Sequence, residues 1–201
     1  MKILNILSSI NGANSNTKKV VDAINSQLEK KYADSSIVVK DLAKTPVPHL
    51  EAAHFLAFVA SGGDLSDEND SDASQSNSAI NQLKEADVVV IAVPFYNFNI
   101  PGTLKSWIDQ ITRAGVTFSY GENGPIGLLQ HKKVYLAMAS GGIYSVEPMK
   151  SMDFAEPYLR NILGFLGLTD ITTFRMEGVK VPGISENAYE KVKSEIDAFD
   201  F

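Results

Sequence analysis

The sequence predicts an α/β fold: a doubly wound, five-stranded parallel sheet with helices on both faces, formed by a single domain over residues 1–201. Two observations predict this class. Strand-like apolar runs alternate with amphipathic helix-like segments along most of the chain. The run Asp87–Val93 is continuous and rich in β-branched residues, which is typical of a central strand buried on both faces.

The elements follow in chain order. Ile3–Leu7 is a short apolar run of the kind that forms a buried first strand, and Thr17–Lys31 carries its apolar residues on one helical face. Val116–Tyr120 alternates like an exposed strand or hairpin arm, and Gly121–Gly124 supplies a turn. Further strands are predicted at Ile37–Val39, Lys133–Ala139 and Ile171–Phe174. Helices are predicted at Glu51–Ala60, Pro101–Ile111, Asp153–Phe165 and Glu186–Ala198, and Ala79–Ala86 is predicted as the end of a further helix.

Five strands joined by right-handed crossovers suit the flavodoxin-like arrangement. In such a sheet, ligands bind at the carboxyl ends of the strands, near the switch in strand order. We therefore expect three loops, Ser8–Thr17, Pro94–Pro101 and Ser140–Glu147, to meet at one place.

Composition excludes several kinds of function. The net charge is -6 and no basic run interrupts the acidic balance, so neither a nucleic-acid partner nor docking on an anionic membrane is expected. The chain has no cysteine, which excludes disulfides, thiol catalysis and cysteine-held metals, and its three histidines are scattered, so no metal site is expected. No apolar stretch approaches the ~20 residues of a membrane span, and we expect a cytoplasmic protein.

One segment, Gly62–Ser78, is rich in Asp, Ser and Asn and offers little apolar surface to bury. It fits a solvated surface loop. It also fits a mobile lid over the site, and the sequence leaves both readings open.

The loop Ser8–Thr17 leads directly into a helix, so free N–H groups and the positive end of the helix dipole predict an anion site. Ser9, Ser15 and Thr17 can add hydroxyl donors, although Ser15 or Asn16 could simply cap the helix. The loop lacks both the Gly-x-Gly-x-x-Gly pattern and a Gly-Lys-Ser/Thr ending, which favours a monophosphate over a pyrophosphate or a nucleoside triphosphate.

The other two loops predict a place for a planar ring. Pro94–Pro101 brings three aromatic and two amide side chains to the end of the buried strand, and amides can bond the edge of a heterocycle. In the third loop, Gly141 and Gly142 let backbone N–H groups approach a ligand, and such donors would stabilise charge on a reduced flavin. Core packing and plain turns are the alternatives for each residue alone.

The ordered set of motifs resembles the FMN-dependent NADH azoreductases, a branch of the flavodoxin-like quinone reductases. The similarity runs from Lys2 past Gly178. It is carried by Pro94-Phe95-Tyr96-Asn97-Phe98-Asn99, Leu104-Lys105, Arg113-Ala114-Gly115-Val116-Thr117-Phe118, Glu122-Asn123-Gly124-Pro125, Gly141-Gly142-Ile143 and Gly164-Phe165-Leu166-Gly167.

The resemblance implies one tightly bound FMN per subunit of a homodimer, with the active site at the subunit interface. It implies a ping-pong cycle in which NADH, sometimes NADPH, reduces the flavin, and a quinone or azo compound then takes the electrons. The implied phosphate and ribityl contacts are Ser9, Ser15, Asn16 and Thr17; the implied ring contacts are Phe95, Tyr96, Asn97, Phe98, Ala139, Ser140, Gly141 and Gly142.

For the substrate, the resemblance implies contact with Tyr120, and Ile162 stands where some members place a phenylalanine over the acceptor. Some members also read Ser-Arg where this chain has Ala139-Ser140, so a cation is absent there. The residues themselves call for no catalytic side chain, since a flavin carries hydride chemistry without a nucleophile.

Two other function classes stay open: a flavodoxin-type electron carrier without nicotinamide turnover, and a nucleotide-binding regulator that has lost flavin. The extra segment Val116–Leu129 favours the enzyme, because a carrier needs no substrate wall. Asp109 and Arg113 lie four residues apart, and we expect them to form a helical ion pair.

Overall fold

The computed structural model of this protein describes residues 1–65 and 72–201. Within them, five parallel strands form one sheet in the order β2-β1-β3-β6-β7. The predicted fold class is confirmed. The sheet strands are β1 (Lys2–Leu7), β2 (Ser36–Asp41), β3 (Val88–Pro94), β6 (Lys133–Ala139) and β7 (Asp170–Met176). Strands β4 (Phe118–Gly121) and β5 (Gly124–Gly127) form a separate antiparallel hairpin, as the alternating pattern of that segment predicts.

The described residues form six α-helices, five between strands and one after the last strand. They are α1 (Asn16–Lys31), α2 (Ala52–Ala60), α3 (Ser74–Glu85), α4 (Gly102–Ile111), α5 (Ala155–Phe165) and α6 (Ala188–Ala198). The helix predicted to begin at Asp153 begins two residues later, because the Asp153 carboxylate accepts the backbone N–H groups of Ala155 and Glu156 at 2.9 and 3.1 Å. Asp153 therefore precedes the N-cap residue Phe154 and binds N–H groups of the first turn rather than extending the helix.

The core lies in two layers, one on each face of the sheet. Helices α1 and α6 pack on one face, and α3, α4 and α5 pack on the other. Strand β3 is buried along its whole length, which is the burial that its β-branched sequence predicts. Trp107 is also buried, in the layer that contains α4.

The hairpin is fixed to the end of α5 by a close backbone crossing. A Cβ atom on Gly127 would lie 2.1 Å from the amide nitrogen of Gly167, and Gly167 itself has a φ of +97°. Nearby, the Leu129 N–H donates to the Leu166 carbonyl at 2.9 Å. Only glycine tolerates so close an approach. Gly127 and Gly167 therefore allow the hairpin to pack against the rest of the domain.

The predicted ion pair between Asp109 and Arg113 is wrong. Asp109 pairs with Lys105 at 2.6 Å, one turn earlier on α4. Arg113 lies beyond the end of the helix, where its side chain is buried and donates to Asn77 Oδ1 at 2.5 Å and to Ser61 Oγ at 2.8 Å. A buried guanidinium takes the acceptors that surround it, and these come from α3 and the end of α2.

The segment Gly62–Ser78 is only partly a loop. Its last five residues form the first turn of α3, and Ser76 and Asn77 are buried there, so a solvated loop is the wrong description for that part. The Ser76 hydroxyl donates to the Gln110 carbonyl at 2.5 Å, so this buried polar side chain has a hydrogen-bond partner. The polar composition of the segment had indicated an exposed position for it. The question of a lid falls on residues 66–71, which lie outside the described residues.

Candidate functional site

The loops after β1, β3 and β6 meet at the carboxyl edge of the sheet and form a cleft of about 390 Å³. They meet because these three strands are neighbours in the sheet. All twelve residues predicted to hold a cofactor line this cleft: Ser9, Ser15, Asn16, Thr17, Phe95, Tyr96, Asn97, Phe98, Ala139, Ser140, Gly141 and Gly142. Five further lining residues are Asn11, Pro94, Tyr144, Val179 and Lys180.

The first wall of the cleft is the start of α1. Ser15 caps the helix, since its hydroxyl accepts the Lys18 N–H at 3.2 Å, and it also lies 2.9 Å from the Thr17 hydroxyl. The capping alternative therefore holds for Ser15. The other N–H groups of a first helical turn have no partner within the helix, so this end of α1 presents donors to the cleft.

The second wall is a tight turn after β3. Tyr96 and Asn99 exchange two backbone hydrogen bonds of 3.0 Å, and the two residues between them have left-handed backbones, with φ of 49° at Asn97 and 66° at Phe98. Two successive positive φ values match a type I′ turn, which usually contains glycine. A Phe in this conformation is strained, and strain of this kind concentrates at functional sites.

Three aromatic rings from two loops lie together at this wall. The Phe95 and Tyr144 ring centroids are 4.5 Å apart with a 35° tilt, and Phe98 meets both rings edge-on at 6.4 and 6.1 Å. Tyr96 reaches the first wall, where its hydroxyl lies 3.5 Å from the Ser9 hydroxyl. The cluster offers apolar ring surface beside a polar helix terminus.

The third wall is the turn Ser140–Gly142, whose carbonyls are all used by the chain that follows β7. Ser140, Gly141 and Gly142 accept backbone N–H groups from Val179, Lys180 and Gly178 at 3.2, 3.0 and 3.0 Å. Within residues 1–65 and 72–201, the Gly141 and Gly142 amides donate to no protein acceptor. The polar groups that the turn leaves for a ligand are therefore N–H donors.

The charge of the lining is positive. Among the described lining residues there is no carboxylate, and Lys180 carries the one full charge. In a chain of net charge -6, such a lining favours an anionic ligand.

Behind Tyr144 lies a network of charged side chains. Glu177 accepts the Tyr144 N–H at 2.8 Å and the Ser145 hydroxyl at 2.5 Å, and Arg175 pairs with Glu177, Asp153 and Glu156. Burial by itself raises the pKa of Glu156, but hydrogen bonds from Thr173 and Arg175, with the charge of Arg175, outweigh it, so this pKa lies below its ordinary value. The network holds the loop that carries Tyr144 against β7.

The two predicted substrate residues lie outside the cleft lining. Tyr120 is on the hairpin with 76% of its surface exposed, and its ring lies perpendicular to the Phe118 ring with 5.6 Å between the centroids. Ile162 is on α5, half-buried against the core. Their predicted roles stay predictions.

Sequence reasoning missed Val179 and Lys180, because they follow the last strand and have no motif of their own. The other three missed residues, Asn11, Pro94 and Tyr144, fall inside the three loops that were predicted to meet. The strand order could have found the missing pair, since β7 is the neighbour of β6 and their loops share an edge.

Two absences apply to the part of the chain that the structure describes. It contains no group of three or more His, Cys, Asp or Glu side chains that could hold a metal ion. None of its helices is both long and apolar enough to cross a membrane.

Known proteins share both the sequence and this architecture. Residues 1–199 match the family model described as a flavodoxin-like fold. The FMN-dependent NADH:quinone oxidoreductase of Herminiimonas arsenicoxydans is 45% identical over 178 residues, which cover 89% of this chain and 87% of that protein. This chain belongs to the family of FMN-dependent NADH:quinone oxidoreductases.

Two further members show how far the family similarity extends. The FMN-dependent NADH:quinone oxidoreductase of Mesorhizobium japonicum is 40% identical over 199 residues, covering 98% of this chain and 95% of that one. The crystal structure of an FMN-dependent NADH-azoreductase from Bacillus anthracis in complex with FMN superposes with a TM-score of 0.81 at 26% identity, covering 98% of this chain and 97% of that chain.

Proposed function

We propose that the protein is an FMN-dependent oxidoreductase that takes electrons from NADH and passes them to quinones and azo compounds in two alternating half-reactions. One observation carries the proposal. A single cleft joins a phosphate-type site, a set of aromatic rings and a turn of N–H donors, in the order that a flavin mononucleotide requires.

The residues of the cleft fit the phosphate end of FMN. A phosphate group is bound by several hydrogen-bond donors. The start of α1 and the loop before it offer backbone N–H groups together with the hydroxyls of Thr17 and Ser9. The side-chain amide of Asn16 adds a further donor. The described lining holds no carboxylate that would repel the anion.

The residues at the other end fit a flat, electron-accepting ring. Phe95 and Phe98 supply apolar surface for its faces, and Asn97 supplies an amide that can both donate and accept at its edge. The free N–H groups of Gly141 and Gly142 would meet the edge where electron density gathers on reduction.

Bound FMN supplies reversible two-electron chemistry, accepting a hydride from one substrate and giving it to another. The protein positions the reactants. The tight turn after β3 fixes the backbone of Asn97, and the neighbouring Phe95 and Tyr144 rings would shield one side of the site from water. No side chain has to act as a nucleophile, and the N–H donors of the Gly141-Gly142 turn would stabilise negative charge on a bound flavin.

We further propose a homodimer whose interface completes the site. Helix α2 supports this, because three of its large apolar residues are exposed: Phe55, Leu56 and Val59 are 59%, 67% and 65% exposed, and His54 is its one buried residue. An unpartnered apolar helix face is typical of a protein interface. Tyr120 and Ile162 would then reach an acceptor across that interface rather than within one subunit. A cytoplasmic location stays a prediction from the sequence.

An electron carrier without nicotinamide turnover is not favoured. The hairpin β4–β5 adds a wall beside the core sheet, and the curated relatives carry the names of enzymes. The deciding assay is steady-state oxidation of NADH by FMN-loaded protein in the presence of a benzoquinone or an azo dye. Parallel lines in double-reciprocal plots are expected for the ping-pong cycle; failure of the protein to oxidise NADH with any acceptor would contradict the proposal.

A further inference from the structure

Lys180 follows β7 and lies beside the Gly141-Gly142 turn, far in sequence from the three loops that define the cleft. The aliphatic part of its side chain packs over Gly141: a Cβ atom built on that glycine would lie 3.4 Å from Lys180 Cδ and 3.6 Å from its Cγ. The ammonium group is two bonds beyond Cδ. The ammonium is therefore within reach of the turn whose N–H groups have no acceptor among the described residues.

The backbone fixes this placement. Lys180 donates its N–H to the Gly141 carbonyl at 3.0 Å, and its two predecessors bond the carbonyls on either side. A three-bond clamp of this kind leaves little freedom to the Cα of Lys180. The distances from Gly141 to the lysine stem are those of ordinary van der Waals contact, so the stem lies directly against the turn.

Few charged groups lie near the Gly141-Gly142 turn. Lys180 is the one charged residue of the described lining, and Ser140 on the turn contributes only a neutral hydroxyl, which donates to the Gly142 carbonyl at 2.8 Å. A hydride adds two electrons and one proton to a flavin ring while NADH leaves as NAD⁺. The ring thus becomes more negative by one charge until a second proton arrives.

We infer that Lys180 stabilises the reduced cofactor by placing its ammonium beside the pyrimidine edge of the ring, and so sets how readily the protein accepts electrons. The inference rests on the proposed function. It assigns to the segment after β7 an electrostatic role that adds to the N–H donors of Gly141 and Gly142. Lys180 is also exposed, so its effect is screened by salt, whereas the amide contribution is not.

The test is a reductive titration of FMN-loaded protein with dithionite and a reference dye, at about 0.01 M and about 1 M salt, where the Debye length falls from ~30 Å to ~3 Å. Lys180→Met keeps the stem and removes the charge. We expect it to shift the equilibrium three- to tenfold towards oxidised flavin at low salt, a fall of about 14 to 30 mV for a two-electron couple. Lys180→Arg should retain the wild-type potential, and the difference should shrink at high salt.

Lys191→Met is the matched control, because it removes an exposed lysine from α6 and should leave the potential unchanged. The inference is overturned if Lys180→Met has the wild-type potential at low salt, or if Lys180→Met and Lys180→Arg shift it equally. It is also overturned if Lys180→Met changes only the ratio of NADPH to NADH turnover, since the ammonium would then meet the nucleotide.

Failure of the proposed function is distinguishable, because dithionite replaces NADH in the titration. Wild-type protein whose flavin is reduced by dithionite and not by NADH contradicts the enzyme proposal alone. A wild-type flavin that NADH reduces, with no effect of Lys180→Met on its potential, contradicts the lysine inference alone.

Discussion

The guanidinium of Arg113 donates to Asn77 Oδ1 at 2.5 Å, which joins the loop after α4 to the first turn of α3. The same group bonds Ser61 at the end of α2 and lies 4.4 Å from the Phe58 ring centroid. One buried cation therefore connects the loop after α4 with helix α3 and with the end of helix α2.

Replacing this cation should cost stability. Arg113→Met removes the charge and leaves buried acceptors without their donor, so we expect a loss of about 3 kcal/mol in the free energy of unfolding, measured by urea denaturation. Lys18→Met, which breaks an exposed pair with Asp22, serves as control and should cost less than about 1 kcal/mol. Equal losses of unfolding free energy in the two variants would show that the buried contacts of Arg113 stabilise the fold no more than an exposed ion pair does.

Acid should weaken the network around Glu156. Its pKa is lower in the folded protein than the ordinary 4.5, so its ionised form stabilises the fold above that pH and this contribution is lost as pH falls through the folded pKa. The unfolding free energies of wild type and Glu156→Gln should therefore differ most above pH 4.5 and converge as the pH falls through the folded pKa. Glu190→Gln, at an exposed site on α6, is the control. A difference that stays constant from pH 7 to pH 3 would contradict this account.

Asn97 tests the second wall of the cleft. Asn97→Gly preserves the left-handed backbone and removes the amide, whereas Asn97→Ala also adds backbone strain of about 1 kcal/mol. We expect both variants to bind FMN about tenfold more weakly, since a contact worth about 1.4 kcal/mol is lost, and only the Ala variant to melt at a lower temperature. Flavin fluorescence titration and thermal denaturation measure the two effects. If Asn97→Gly bound FMN as tightly as the wild-type protein, the Asn97 amide would not be a contact to FMN.

A substitution on the apolar face of α2 tests whether the protein is a dimer. Leu56→Glu places a charge on that face, and light scattering at micromolar concentration should find half the mass of the wild-type particle. Val38→Glu, on the edge strand β2, should leave the mass unchanged. A wild-type protein that is an active monomer would refute both the dimer and the shared site.

Much of the fold could be predicted because its signals are local. The buried strand β3, the helix α1 and the hairpin around Tyr120 each follow from hydrophobic periodicity within a short window. The position of the cleft follows from the parallel order of the strands, which places successive loops at one edge. The three loops were therefore identifiable from the sequence, and the family resemblance then implied twelve of the residues that line the cleft.

The remainder depends on contacts between distant segments. Arg113 has the spacing of a helical partner for Asp109, and only the end of α4 and the approach of Ser61 and Asn77 reveal its real acceptors. Lys180 enters the cleft because β7 lies beside β6, which no motif near that residue encodes. Tertiary packing, rather than local propensity, decides such positions.

The most direct measurement of the central claim is anaerobic mixing of FMN-loaded protein with NADH, followed in a stopped-flow instrument by flavin absorbance. The account predicts rapid bleaching of the oxidised flavin band, and its return when a benzoquinone is added from a second syringe. A flavin that stays oxidised in excess NADH would contradict the account.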